Sequence, residues 1–173
     1  MFLTNYPPGI LNIMTYSQKY TLVHFTSPIE DGEQFPMSKW PLHTTLADVF
    51  AVNRHKTTID TKLVALLAQI QPVNTSALND DILGTTPVVL LDKTPPLLKL
   101  HTDIVSLLEE NDAIFNNPEF TRNGFLPHST IQKSGRLHAS DRITIDSISL
   151  VDMFPDDDQM QRKVLTTFKL RVQ

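Results

Sequence analysis

The chain has 173 residues, of which 40% are hydrophobic and 20% charged, and its formal net charge is −4 at pH 7. This length suits one domain, or one domain divided into two lobes, and the apolar content excludes wholesale disorder. The absence of cysteine excludes disulfides, thiolate metal sites and a cysteine nucleophile. The charge and the lack of a Lys/Arg cluster argue against a surface for duplex DNA, whereas a pocket for one phosphate needs only two or three donors.

No apolar run approaches the roughly 18 residues of a membrane-spanning helix, and the N-terminus lacks the pattern of a signal peptide. We therefore expect a cytoplasmic protein that does not bind membranes, and nothing in the sequence demands more than a monomer. Residues 1–18, with Pro7-Pro8-Gly9, are expected to be irregular. Residues 19–173 are expected to form a single bilobal domain.

The first half of the chain predicts strands on both sides of one helix. Apolar residues recur at helical spacing from Ile59 to Ile70, with Thr58 as a candidate N-cap. A polar, proline-containing loop separates the first two strands, and a turn at Gly84-Thr85-Thr86 separates the last two. The predicted strands are Tyr20–Thr26, Leu42–Val52, Val73–Leu83 and Pro87–Leu91.

The second half predicts one helix followed by three strands. Pro95-Pro96 opens the helix, and its apolar stripe runs from Leu97 to Leu108, with His101 expected at the surface. The predicted strands are Leu126–Lys133, Arg142–Phe154 and Arg162–Val172. Two helices cannot cover both faces of a parallel sheet, so the order ββαββα plus three strands favours the α+β class with antiparallel sheets.

Two of the predicted strands carry a histidine two residues before a threonine, in the tetrapeptides HTTL and HSTI. Since residues i and i+2 of a strand share a face, His43 lies beside Thr45 and His128 beside Thr130. An imidazole can transfer a proton and a hydroxyl can donate to a phosphate oxygen. The sequence contains five His-x-Ser/Thr matches, and only these two combine a preceding proline with an apolar fourth residue.

These two tetrapeptides, 85 positions apart, resemble the signature of the two-histidine (2H) phosphoesterase superfamily, which includes bacterial 2′-5′ RNA ligase and 2′,3′-cyclic phosphodiesterase proteins. WPLHTTLADVF and GFLPHSTIQK are the stretches most similar to family sequence. The resemblance implies a pair of antiparallel-sheet lobes with flanking helices, related by a pseudo-twofold axis, around a central cleft. It implies that His43 and His128 act as acid and base, that Thr45 and Thr130 hold the phosphate, and that no metal or cofactor takes part.

Three further residues are candidates for binding substrate. Members of the superfamily often carry a basic residue five positions after the second histidine, which is Lys133 here. Trp40 and Phe125 each precede a candidate histidine by three residues and are candidates to line the cleft and stack on a base. The polar residues at the second motif positions, Thr44 and Ser129, and the missing helix between the first two strands depart from the family pattern.

We therefore expect metal-independent hydrolysis of a 2′,3′-cyclic phosphate on a nucleotide or RNA end. The resemblance also admits 2′-5′ RNA joining or cleavage of 2′-5′ linkages, and a module that binds RNA ends without turnover is a third reading. A zinc site with Asp48 or Asp103 has no supporting H-E-x-x-H spacing. Ser129 lacks the G-x-S-x-G context of a hydrolase nucleophile.

Overall fold

Two antiparallel sheets and two α-helices make up the computed structural model, which describes residues 18–54 and 58–171. The strands are β1 Tyr20–Phe25, β2 Gln34–Pro36, β3 His43–Ala51, β4 Val73–Leu83, β5 Thr86–Leu91, β6 Ile114–Phe115, β7 His128–Thr130, β8 Arg142–Ile145, β9 Ser147–Asp152 and β10 Gln161–Lys169. The helices are α1 Ile59–Leu67 and α2 Pro95–Glu109. The predicted α+β class is confirmed, whereas most of the N-terminal segment predicted to be irregular lies outside the described residues.

The strands form a six-stranded sheet in the order β2-β10-β9-β1-β3-β6 and a four-stranded sheet in the order β7-β5-β4-β8. β4 and β5 form a hairpin whose turn places Gly84 at φ 63°, a left-handed conformation that glycine adopts without strain. β1 (YTLVHF) is buried along its whole length because it lies between β3 and β9 and both of its faces are covered. Each sheet therefore contains one of the two motif strands, β3 or β7.

The prediction of one continuous strand over Arg142–Phe154 is wrong, because the strand is interrupted at the exposed Asp146. β8 pairs with β4 in the four-stranded sheet, and β9 pairs with β1 and β10 in the six-stranded sheet. The burial pattern changes with the sheet: β8 alternates as an edge strand does, whereas β9 is buried almost throughout. This segment thus joins the two sheets. β2 and β6, of three and two residues, are too short to produce a periodic signal.

Both helices bury their predicted apolar stripes in a core that also contains residues of both sheets. α2 packs on β3 and β4, and α1 packs on β10 and α2. Thr94 caps α2 by accepting a hydrogen bond from the backbone N–H of Leu97. Thr58 occupies the N-cap position of α1, as predicted, with φ 52°, and its side chain makes no capping hydrogen bond. No helix in the described ranges is long and apolar enough to cross a membrane.

The other face of the six-stranded sheet carries a second, smaller apolar cluster. It consists of Val23, Phe25, Phe35, Val151 and Val164, with Ile29 and Trp40 packed against it. Because side chains alternate along a strand, Thr21, Val23 and Phe25 of β1 share this face. Phe25 pairs in register with His43. The small cluster therefore lies on the same face of the sheet as His43, and two of its rings, Phe25 and Trp40, contact the imidazole.

Candidate active site

The two motif strands, β3 and β7, approach each other along edges that pair with no other described strand at the motif positions. β6 pairs only with Phe50 and Ala51, at the far end of β3. β7 is the edge strand of the four-stranded sheet. The hydroxyl of Ser129 donates a hydrogen bond to the backbone carbonyl of His43, with 2.9 Å between the oxygens. This contact joins the two sheets directly at the motifs.

The motif side chains lie at the boundary between two adjoining cavities. His43 lines the smaller cavity, of about 330 Å³, and His128 lines the larger cavity, of about 620 Å³. Thr45 and Thr130 line both. Ser129 is 1% exposed and Thr44 fully buried, as the alternation of side chains predicts for the intervening motif residues. A group bound at this boundary would have two hydroxyls beside it and one imidazole on each side.

Both imidazoles are held by the same local hydrogen bond. Nδ1 of His43 lies 2.7 Å from the carbonyl oxygen of Pro41, and Nδ1 of His128 lies 2.8 Å from that of Leu126. Because a carbonyl oxygen can only accept, Nδ1 carries the proton when either ring is neutral. Nε2 of each ring is then the nitrogen that can accept a proton or, in the imidazolium form, donate one.

The surroundings of His43 favour its neutral form. Its ring centroid lies 4.4 Å from that of Trp40 and 5.9 Å from that of Phe25. Burial lowers the pKa of His43 to about 4; the Pro41 carbonyl opposes this shift, and the positive charge that His128 can carry adds to it. His43 is therefore neutral near pH 7 and suited to accept a proton.

No protein-family model and no curated protein matches this sequence. Solved structures do match the fold over nearly its whole length. A structure described as a phosphoesterase has a TM-score of 0.57 at 17% identity, covering 90% of this chain and 99% of its own. The structure of TT0787 of Thermus thermophilus has a TM-score of 0.57 at 15% identity, and the match covers 88% of this chain and 98% of that one. The structure of E. coli LigT complexed with 3′-AMP has a TM-score of 0.55 at 16% identity, and the match covers 90% of this chain and 99% of that one.

The chain has the 2H phosphoesterase fold. The fold that the resemblance implies is thus confirmed. At these identities the likeness concerns the fold, and the site must be judged on the residues present. In this chain, the histidine and threonine of each motif line the two adjoining cavities.

The three predicted substrate-binding residues take different positions in this 2H fold. Trp40 lines the smaller cavity, where its ring contacts His43. Phe125 lines the larger cavity but is only 6% exposed, because it stacks on His101 with 3.9 Å between ring centroids. Lys133 is exposed in the turn that follows β7 and lines neither cavity, whereas its neighbour Gln132 lines the smaller one.

His101 is not the surface residue that its helix suggested, since it is only 1% exposed. Nδ1 lies 2.7 Å from the carbonyl oxygen of Leu46, and Nε2 accepts the backbone N–H of Arg122 at 2.8 Å. Burial lowers its pKa, so the neutral ring is favoured and both of its nitrogens are occupied. His101 ties α2 to β3 and to the segment before β7, and it has no free nitrogen for catalysis.

Sequence reasoning missed two groups of cleft residues. Exposed apolar side chains line the larger cavity: Ile82 at 67% exposure, Phe120 at 52% and Leu126 at 42%. Asp48, considered only as a metal ligand, lines both cavities and accepts a hydrogen bond from the Asn117 side chain at 2.7 Å. Within the described ranges no cluster of three or more histidine, aspartate or glutamate side chains could hold a metal ion.

Proposed function

We propose that this chain hydrolyses 2′,3′-cyclic phosphates of nucleotides or RNA ends, with His43 as general base and His128 as general acid. The observation that carries the proposal is the meeting of two His/Thr pairs at the boundary of the two cavities. The fold supports it, because one neighbour is described as a phosphoesterase. E. coli LigT structures contain 3′-AMP, NADP⁺, ATP or phosphate, which supports a nucleotide phosphate as ligand.

In this mechanism the phosphate lies between the rings, with the hydroxyls of Thr45 and Thr130 donating to its non-bridging oxygens. Neutral His43 accepts a proton from water through Nε2 while the water oxygen bonds to phosphorus. Protonated His128 donates the proton on Nε2 to the ribose oxygen as its bond to phosphorus breaks. The products are a phosphomonoester and a free ribose hydroxyl, and proton exchange with solvent restores both rings.

The assignment of base and acid follows from the two environments. His43 contacts Trp40 and Phe25 and has a pKa of about 4, so the ring is neutral near pH 7 and its Nε2 is free to accept a proton. The hydrogen bond between His128 and the Leu126 carbonyl is exposed to solvent, whereas the corresponding bond of His43 is partly buried. We therefore assign the more buried ring, His43, as the base and the more exposed ring, His128, as the acid.

A second candidate reaction is cleavage of a 2′-5′ linkage between two nucleosides. The presence of a cavity on each side of the boundary favours it, since such a substrate carries a nucleoside on both sides of its phosphate. The same residues would act, with the 5′-oxygen of the second nucleoside or a ribose oxygen of the first departing. Joining of 2′-5′ ends would be the reverse of such a reaction.

The test is turnover of the four 2′,3′-cyclic nucleoside monophosphates in the presence of EDTA. His128→Ala should lower kcat by roughly 10²- to 10⁴-fold, as loss of a positioned acid does. His138→Ala is the matched control, because His138 begins another His-x-Ser sequence but is exposed and lines neither cavity. Equal turnover in wild type and His128→Ala, or loss of turnover with EDTA, would contradict the mechanism. Turnover of 2′-5′-linked dinucleotides alone would select the second candidate.

A further inference from the structure

Asp48 lies in the cleft because β3 is irregular. The pairing between β1 and β3 shifts by one residue between Leu22↔Ala47 and Val23↔Thr45, which adds a residue to β3 at this point. A bulge of this kind reverses the faces taken by the residues beyond it. Asp48 therefore shares the cleft face with His43 and Thr45, although strict alternation would turn it away.

A hydrogen bond holds the Asp48 side chain at the boundary between the two cavities. Asn117, in the segment after β6, donates its side-chain N–H to Oδ2 of Asp48 at 2.7 Å. Among the described residues, only Thr45, Thr130 and Asp48 line both cavities. A phosphate held by the two threonines therefore has this carboxylate nearby, whichever cavity receives the nucleoside.

The charge of the cleft is unusual for a site that binds an anion. Within residues 18–54 and 58–171, neither cavity is lined by lysine or arginine, and Asp48 is the only acidic residue that lines either one. In the same part of the chain, no basic side chain forms an ion pair with Asp48. The phosphate would be held by two neutral hydroxyls, the imidazole N–H groups and the positive charge of protonated His128, with the negative charge of Asp48 beside it.

We propose that Asp48 makes the cleft selective for singly charged phosphodiesters by disfavouring a second negative charge on the bound phosphate. This role rests on the proposed function. A cyclic phosphodiester carries one negative charge, whereas the phosphomonoester formed from it carries nearly two above its second pKa of about 6. Hydrolysis adds a second charge that Asp48 repels, so the residue weakens binding of the product more than binding of the substrate and promotes product release.

The expected size of the effect is moderate. Two like charges roughly 7 Å apart change an affinity about threefold at the dielectric constant of water and about fiftyfold at an effective constant of about 20, so a cleft open to solvent lies between these limits, at about five- to tenfold. Asp48→Asn removes the charge, and the amide oxygen that it introduces can still accept the hydrogen bond from Asn117. The substitution therefore tests charge with little change of shape.

The experiment compares two ligands that differ in phosphate charge and by one methyl group: 2′-deoxyadenosine 3′-phosphate and its methyl ester. Neither has a 2′-hydroxyl, so neither can cyclise. Calorimetry at a pH well above 6 should show that Asp48→Asn binds the monoester about five- to tenfold more tightly than wild type does, with affinity for the methyl ester changed less than about twofold. Asp112→Asn is the matched control, since Asp112 is exposed, has φ 61°, which asparagine tolerates, and lines neither cavity.

Each other outcome has a defined meaning. Equal weakening of both ligands by Asp48→Asn would show that Asp48 accepts a hydrogen bond from the ligand, and would overturn the charge-based role. Unchanged affinities in a protein that still turns over 2′,3′-cyclic AMP would overturn this role alone. A wild-type protein that neither binds these nucleotides nor turns over the cyclic one would overturn the proposed function and this role with it.

Discussion

Removal of the Trp40 ring should raise the pKa of His43. In the native protein burial lowers this pKa from 6.5 to about 4, a difference that corresponds to roughly 3 kcal/mol. Trp40 is the nearest ring to His43, at 4.4 Å between centroids, while Phe25 lies farther away at 5.9 Å. If Trp40 provides about half of the desolvation, Trp40→Ala should raise the pKa by about one unit.

The pKa of His43 can be measured directly by NMR titration of its Cε1–H resonance, and the acid limb of kcat/KM should move upward by the same amount. Trp40→Phe keeps an aromatic ring against the imidazole and should shift the pKa by less than half as much. Near pH 7 both variants should keep a neutral His43, so loss of the base through protonation is not expected there. A His43 that titrates near 6.5 in the native protein, or at the same pH in Trp40→Ala, would refute burial by Trp40 as the cause.

Two other predictions concern stability. The native pKa of His43 lies below that of the unfolded chain, so as pH falls the unfolded state takes up the proton first. The free energy of unfolding should therefore decrease by about 3 kcal/mol between pH 6.5 and about 4. Urea unfolding of His43→Gln should lack this part of the decrease, and a pH dependence identical to that of the native protein would contradict the prediction. Ser129→Ala should cost about 1–3 kcal/mol, because it leaves the buried His43 carbonyl without its donor. Ser134→Ala, in an exposed turn, is the control for Ser129, and equal unfolding midpoints would show that the contact between the sheets adds nothing.

The motif geometry could be predicted from the sequence because it depends on local rules. Alternation along a strand is enough to place His128 and Thr130 on the cleft side and Ser129 in the interior, as observed. The same rule fails at Asp48, since the extra residue in β3 arises from pairing with β1, a segment more than twenty residues away. Local periodicity contains no information about such a shift.

His101 shows a different limit. It lies four residues after Leu97 and three before Ile104, within the buried stripe of α2, so its position indicated burial. Its polarity suggested the surface instead. The groups that satisfy the ring, the Leu46 carbonyl and the Arg122 N–H, lie 55 and 21 residues away in sequence. A buried histidine can be predicted only when its distant partners are known.

The two histidines belong to the same short motif, and what distinguishes them lies outside it. The motif and the residues just before it give both rings the same hydrogen bond, from Nδ1 to the carbonyl two positions earlier. The segment between β1 and β3 then makes the difference, because it supplies Trp40, whose ring contacts His43, and Phe35, whose ring packs against Trp40. This short connection therefore builds the apolar wall that lowers the pKa of one imidazole. The repeated motif leaves Nε2 of each ring free, and this connection determines that His43 is neutral near pH 7 and available as the base.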